Sequence, residues 1–407
     1  MQGPKDTEYL ASLANSIIPS PTSLNVKGRK KRIALVTQGG GQRGIFTSGV
    51  LDSFLDAGLD PFELYIGTSA GALNISSYIT RQRGFGHHFI TQYTTNARFF
   101  NLMKYVRRQQ FMDLDWALEM AGPANPEGLN VGKAREILLD RTAYACVTNA
   151  HTLEPHYFPM FRENWLEVLK ATCAIPMLYP SAVEIANQYY VDGGVTGAIP
   201  AREAFNRGAD IIVVIRTEPV QQDKAPMTSA LAENLRSRVE KRLPEYLARL
   251  NLDDRLEKLA DFHHQLSQRL EEIRQRYYRE KKAEPLWHKL RDIVPLQKQK
   301  NGGRWLFGGD SIYRLQALSG QKLSADMLEM LTRHFQTYQE AVAFMSHPPI
   351  RTELIQLAPK QPLLSNALLS KPSQLEHDYQ EGLDVGRQFV DEYAVMLSDV
   401  STVKSQV

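Results

Sequence analysis

The chain has 407 residues, 43% of them hydrophobic and 23% charged, with a formal net charge of +3 at pH 7. That is the composition of a soluble globular protein, long enough for one large domain or two ordinary ones. The charge is too small to argue for a nucleic-acid partner, although it leaves room for loose attraction to an anionic membrane surface.

The two cysteines, Cys146 and Cys173, give neither a disulfide framework nor a zinc spacing and read as reduced core residues. The opening residues lack the apolar core of a secretory signal, and no apolar run reaches the roughly 18 residues of a membrane span. The expectation is a cytoplasmic protein, with peripheral contact to a membrane left open.

Residues 1–30 read as a poorly ordered or short-helical arm, and 27–32 as a solvated basic run leading into a strand. The run Ile33-Ala34-Leu35-Val36-Thr37 stops at glycines, as a buried parallel strand does. Ile45, Val50, Leu51, Phe54 and Leu55 then recur at helical spacing, with Gly58 to end the helix. A second buried strand at 64–66 runs into a turn and a helix over 70–80. Strand, helix, strand, turn and helix in that order open a doubly wound α/β sheet.

From 82 to 130 the pattern is irregular. Phe99, Phe100, Met103, Phe111, Met112, Leu114 and Trp116 read either as cover for the sheet or as the lining of an acyl-chain pocket. Strands follow at 143–149 and 155–160, a helix at 165–172, and a strand at 188–191 that delivers Asp192. A helix at 201–208 and a β-branched strand at 210–216 come next.

Between 225 and 345 the sequence is charged and helical. Leu256, Leu259, His263, Leu266, Leu270, Ile273 and Tyr277 alternate by three and four, a heptad seam that needs a helical partner. That partner comes from this chain or from a second subunit, so the oligomeric state is open. A helix at 327–345, strand composition at 352–359 and a helix over 373–396 close the pattern. The organisation expected is an arm at 1–30, an α/β core at 31–224 and a helical insertion at 225–345. A strand and helix at 346–397 then complete the core, followed by a tail at 398–407.

Three motifs carry the chemistry. Gly67-Thr68-Ser69-Ala70-Gly71 is the Gly-x-Ser-x-Gly pattern that sets a serine hydroxyl on a sharp strand-to-helix turn. Upstream, Gly39-Gly40-Gly41-Gln42-Arg43-Gly44 offers bare backbone N–H groups, the donors an oxyanion needs. Downstream, Asp192-Gly193-Gly194 offers a carboxylate that could take the serine proton.

Occurring together and in this order, they resemble the fingerprints of the patatin-like phospholipase family, over roughly residues 33–220 plus the closing strand and helix. The resemblance implies a three-layer α/β/α fold with a mostly parallel central sheet, here with a helical insertion. It also implies a Ser–Asp dyad with Ser69 as nucleophile and Asp192 as base, an oxyanion hole from the amides of Gly40 and Gly41, and a basic position at Arg43. The activity implied is hydrolysis of fatty-acyl esters of phospholipids or related lipids through an acyl-enzyme, with no cofactor and no metal. The implied partner is a lipid or acyl-ester substrate.

The same residues bear on three rival chemistries. A dinucleotide site would use Gly39, Gly41 and Gly44 but needs an acidic residue ending the second strand, and that strand ends in Gly67-Thr68-Ser69. A P-loop lacks its Gly-Lys-Ser/Thr. A Ser–His–Asp triad would need a late histidine, and none of His334, His347 and His377 sits in a recognisable turn after a strand. An acyltransferase with the same dyad, or a binding protein on a hydrolase scaffold, stays open.

Overall fold

The computed structural model describes residues 16–19, 30–100, 112–176, 178–179, 181–220 and 325–402. The heptad seam, Met103 and Phe111 lie outside the described residues. In chain order the strands are β1 (Ile17–Pro19), β2 (Ile33–Thr37), β3 (Leu64–Thr68), β4 (Thr142–Asn149), β5 (Pro155–Pro159), β6 (Val183–Ile185), β7 (Gln188–Asp192), β8 (Ile211–Ile215) and β9 (Glu353–Leu357). They form one sheet in the order β1-β9-β8-β2-β3-β4-β7-β6, with β5 paired to β4.

The middle of that sheet, β9-β8-β2-β3-β4, is parallel throughout. Both margins are antiparallel, β1 on β9 at one side and β5, β6 and β7 around β4 at the other. The mostly parallel sheet implied by the sequence is therefore a parallel centre between antiparallel borders.

Every residue of β2, β3 and β8 is buried, which is why these strands read as unbroken apolar runs rather than alternating ones. Both sheet faces are covered. Ile33 and Leu35 pack in one cluster with Phe46, Val50 and Phe54, while Ala34 and Val36 pack in another with Ala201, Ala204 and Phe344. Full burial of an Ile or Leu side chain stabilises by about 1.5–3 kcal/mol, so the alternating faces fix the register of the central strands.

The helices that position the site are α1 (Gly44–Asp56), α2 (Ala70–Ile79), α3 (Trp165–Cys173), α4 (Ala201–Asn206), α5 (Ala325–Ser346) and α6 (Pro372–Thr402). On one face α6 packs along α1, where the rings of Phe54 and Phe389 lie 5.3 Å apart and the Tyr379 hydroxyl donates to Asp52 at 2.8 Å. On the other face Phe344 and Met345, at the end of α5, share a cluster with Ile212, Val214 and Leu354.

The arm expected at 1–30 contains β1, which caps the sheet through Ile17↔Leu357 and its neighbours. The stretch from 82 to 130 holds short helices, Leu114–Ala121 among them, and Phe99, Phe100, Met112 and Leu114 are buried in the main core. That is the sheet-covering reading. The last helix of the expected 225–345 block is α5, which packs on the core, and α6 runs past 397 to Thr402. After the block, β9 pairs in parallel with β8. Among the described residues no helix is long and apolar enough to cross a membrane.

Candidate active site

The glycine loop follows the carboxyl end of β2 and the serine turn follows the carboxyl end of β3, where open α/β sheets form their crevice. Asp192 ends β7. Thr68 pairs with Cys146, and Val147 with Asp192, so the ends of β3 and β7 meet at successive positions along β4. That register delivers both side chains to one point: Ser69 Oγ donates to Asp192 Oδ2 at 2.7 Å.

Ser69 sits at φ 53° and ψ −127°, a left-handed conformation that costs a non-glycine residue on the order of 1–3 kcal/mol and persists only where surroundings enforce it. One enforcing contact is the Ser69 N–H, which donates to Thr172 Oγ1 at 2.9 Å. Two residues on, the turn packs against the end of β2 so closely that a Cβ added at Gly71 would come within 2.7 Å of the carbonyl oxygens of Thr37 and Gln38. Gly67 lies within β3.

Asp192 is fully buried. Its Oδ1 accepts the Gly194 N–H at 2.6 Å, closing the short turn Gly193–Val195. Burial raises the carboxyl to about 7, working against the hydrogen bonds from Gly194 and Ser69, which lower it. A carboxyl poised there is both an ionised base and a usable acid near neutral pH.

Gly41 has φ +58°, and a Cβ there would run into the Ala367 carbonyl. Around it Gly39, Gln42 and Arg43 each donate their backbone N–H to a carbonyl of the protein. The amides of Gly40 and Gly41 make no such bond among the described residues, and both glycines border the same cavity as Ser69 and Asp192. The amino end of α2 begins at the serine itself, adding its positive pole. Gly44 opens α1 behind the loop.

The cavity has a volume of about 30 Å³. Besides the motif residues, it is bordered by Gln38, Ile175, Ala198, Glu218, His334 and Tyr338. Arg43 is buried and pairs with Glu218 at 2.8 Å, while Tyr338 donates to the second Glu218 oxygen at 2.6 Å. Burial acts to raise the Glu218 carboxyl, but the Arg43 charge and these hydrogen bonds hold it at about 2. His334 Nδ1 lies 2.6 Å from the Gly194 carbonyl.

The three motifs thus converge on one cavity. His377 stays exposed on α6 beside Asp378, as a surface histidine. Among the described residues, one group could bring ligand atoms together for a metal: His377, Asp378 and Glu381. It lies outside the cavity, and Asp378 already accepts the N–H groups of Leu364 and Ser365.

Four contributors escape the motif reading: Thr172, Glu218, His334 and Tyr338. Glu218 had a signal, because it closely follows β8, a neighbour of β2 at the mouth of the sheet. His334 and Tyr338 stand four apart on one helix face, a spacing that becomes informative only once α5 is known to cross the site.

A family model for patatin-like phospholipase matches residues 35–205. The uncharacterized protein YjjU of Escherichia coli (strain K12) is 32% identical over 368 residues, which is 90% of this chain and 80% of YjjU. The chain belongs to the patatin-like phospholipase family. Lipid acyl hydrolysis is the activity at the level of that family. A second model, a domain of unknown function (DUF6363), matches residues 324–398 and so covers α5, β9 and most of α6. Among solved structures, VipD from Legionella pneumophila is matched at 11% identity over 97% of this chain and 84% of that one, with a TM-score of 0.34.

Proposed function

We propose that this patatin-like protein is a serine acyl hydrolase that cleaves fatty-acyl esters of phospholipids or related lipids through a Ser69–Asp192 dyad. The observation that carries this reading is the 2.7 Å hydrogen bond between Ser69 Oγ and Asp192 Oδ2, made beside two unengaged backbone amides. In the first step Ser69 Oγ attacks the ester carbonyl carbon and its proton passes to Asp192 Oδ2. The carbonyl oxygen becomes an alkoxide held by the N–H groups of Gly40 and Gly41. Collapse breaks the bond to the alcohol, which leaves with the proton from Asp192. Water then adds to the acyl-enzyme, gives a proton to Asp192, and releases the fatty acid as Ser69 recovers its hydrogen.

Arg43 serves this reading as a loop anchor, since its guanidinium is committed to Glu218. We also infer that the 225–345 block is inserted into an α/β core at 31–224 and 346–397, a reading supported by the parallel pairing of β9 with β8 across it.

A fluorophosphonate probe and p-nitrophenyl esters of increasing chain length test the reaction. Wild-type protein labelled at Ser69, with Ser69→Ala and Asp192→Asn both inactive, is the expected outcome. Turnover unaffected by Asp192→Asn would overturn the dyad.

A further inference from the structure

In the proposed cycle the second hydrogen of the water stays on the released carboxyl group, and its hydrogen-bond acceptor during the attack has not been assigned. The water that cleaves the acyl-enzyme carries two hydrogens: one passes to Asp192 Oδ2, which acylation of Ser69 has freed, and the other needs an acceptor that fixes the water's lone pair on the carbonyl carbon. The carboxylate's other oxygen is held by the Gly194 N–H.

The side chains bordering the cavity offer few acceptors. Both Glu218 oxygens are engaged, by Arg43 and by Tyr338. The Tyr338 oxygen takes Arg216, and the Gln38 carbonyl oxygen takes the Thr217 N–H. The backbone carbonyls of Gly39, Gly40, Gly194 and Ala198 each already accept a hydrogen bond.

One bordering side-chain acceptor has no hydrogen bond at all among the described residues. A carbonyl only accepts, so the contact with Gly194 puts the hydrogen of His334 on Nδ1. Burial lowers the imidazole's proton affinity, opposed by the Gly194 bond and the Glu218 charge, and so favours the neutral ring. Nε2 therefore carries a lone pair, and nothing among the described residues hydrogen-bonds it. Gly194 ties the two groups together, its N–H to Asp192 and its carbonyl to His334. The cavity they share, about 30 Å³, has the size for one or two water molecules.

We propose that His334, bordering the cavity from α5 and fixed by Gly194, holds the deacylating water through Nε2 while Asp192 takes its proton. This rests on the acyl-enzyme reading above. His334 gains no net proton in the step. The water oxygen bonds to the acyl carbon, one hydrogen goes to Asp192 Oδ2, and the ester bond to Ser69 Oγ breaks as that oxygen takes the hydrogen back.

The test compares His334→Asn with His334→Ala in a p-nitrophenyl butyrate assay. Asparagine keeps an N–H near the Nδ1 position for Gly194 but has nothing at Nε2. Both variants should release one p-nitrophenol per site at the wild-type rate, then turn over about 10²-fold more slowly. Intact-protein mass should show butyryl-Ser69 accumulating, with fluorophosphonate labelling unchanged. If His334→Ala fails to fold, His334→Asn alone decides. Wild-type turnover in His334→Asn would overturn the proposal and leave His334 a purely structural partner of Gly194. Equal slowing of acylation and deacylation would overturn it as well. Wild-type protein with neither burst nor label would instead overturn the acyl-enzyme reading and this inference with it.

Discussion

The hydroxyl of Thr172 accepts the backbone N–H of Ser69 at 2.9 Å and donates in turn to the Cys146 carbonyl. A residue at the end of α3 thus bridges the serine turn to β4, pinning the one backbone conformation in the site that its side chain makes costly. Thr172→Val keeps the shape and removes both hydrogen bonds, leaving a buried donor and a buried acceptor unpaired. The expected loss is about 1–3 kcal/mol of stability, read from denaturant midpoints, together with a lower kcat. Thr172→Ser should retain most of both.

Activity should follow the ionisation of Asp192. With its carboxyl raised to about 7, the base is mostly protonated below that pH and ionised above it. The expected kcat/KM of the free enzyme climbs through pH 7 and levels off about one unit above. A profile already flat from pH 5 would mean that a different group, or an unshifted Asp192, controls the reaction.

The same raised pKa predicts a stability effect of definite sign. The folded protein binds the Asp192 proton more tightly than the unfolded chain, whose carboxyl has the ordinary value of 3.8. Stability from this group is full below about 4 and is lost as the pH rises through 7, to a cost on the order of a few kcal/mol. Asp192→Asn carries no such cost. Its melting temperature should exceed that of the wild type at pH 8, and the gap should close toward pH 5.

At Gly41 the backbone and the neighbouring chain both demand glycine. Gly41→Ala would push a methyl group into the Ala367 carbonyl and bend the loop that presents the free amides. Loss of one oxyanion donor should lower kcat by about 10²–10³-fold. Circular dichroism should show the sheet intact, and fluorophosphonate labelling should slow in step.

What the sequence made legible was local. Ser69 announced itself because a strand, a turn and a helix meet within a few residues, each with its own pattern, and the same holds for the glycine loop after β2. Asp192 was legible as the end of a short strand, though only the family resemblance paired it with Ser69, since nothing local encodes which strand ends meet along β4. Thr172 looked like one helix residue among many, and its role depends on the carbonyl of Cys146 across the fold. Tyr338 and His334 were obscured differently: their helix was read with the insertion, while the face it presents to the cavity is a tertiary fact. The three residues of β1 were too short a run to outweigh a polar, proline-rich surrounding.

The pairing of Ile17 with Leu357 has a further consequence. One border of the sheet joins the first of the described strands to the last of them, and β9 in turn is the parallel neighbour of β8 on that side. During synthesis, β8 can therefore make that row of hydrogen bonds only once β9 has left the ribosome. Contacts so distant along the chain are slow to close, and an open apolar edge invites aggregation. Yield on expression should be most sensitive to substitutions in Glu353–Leu357, well away from the serine.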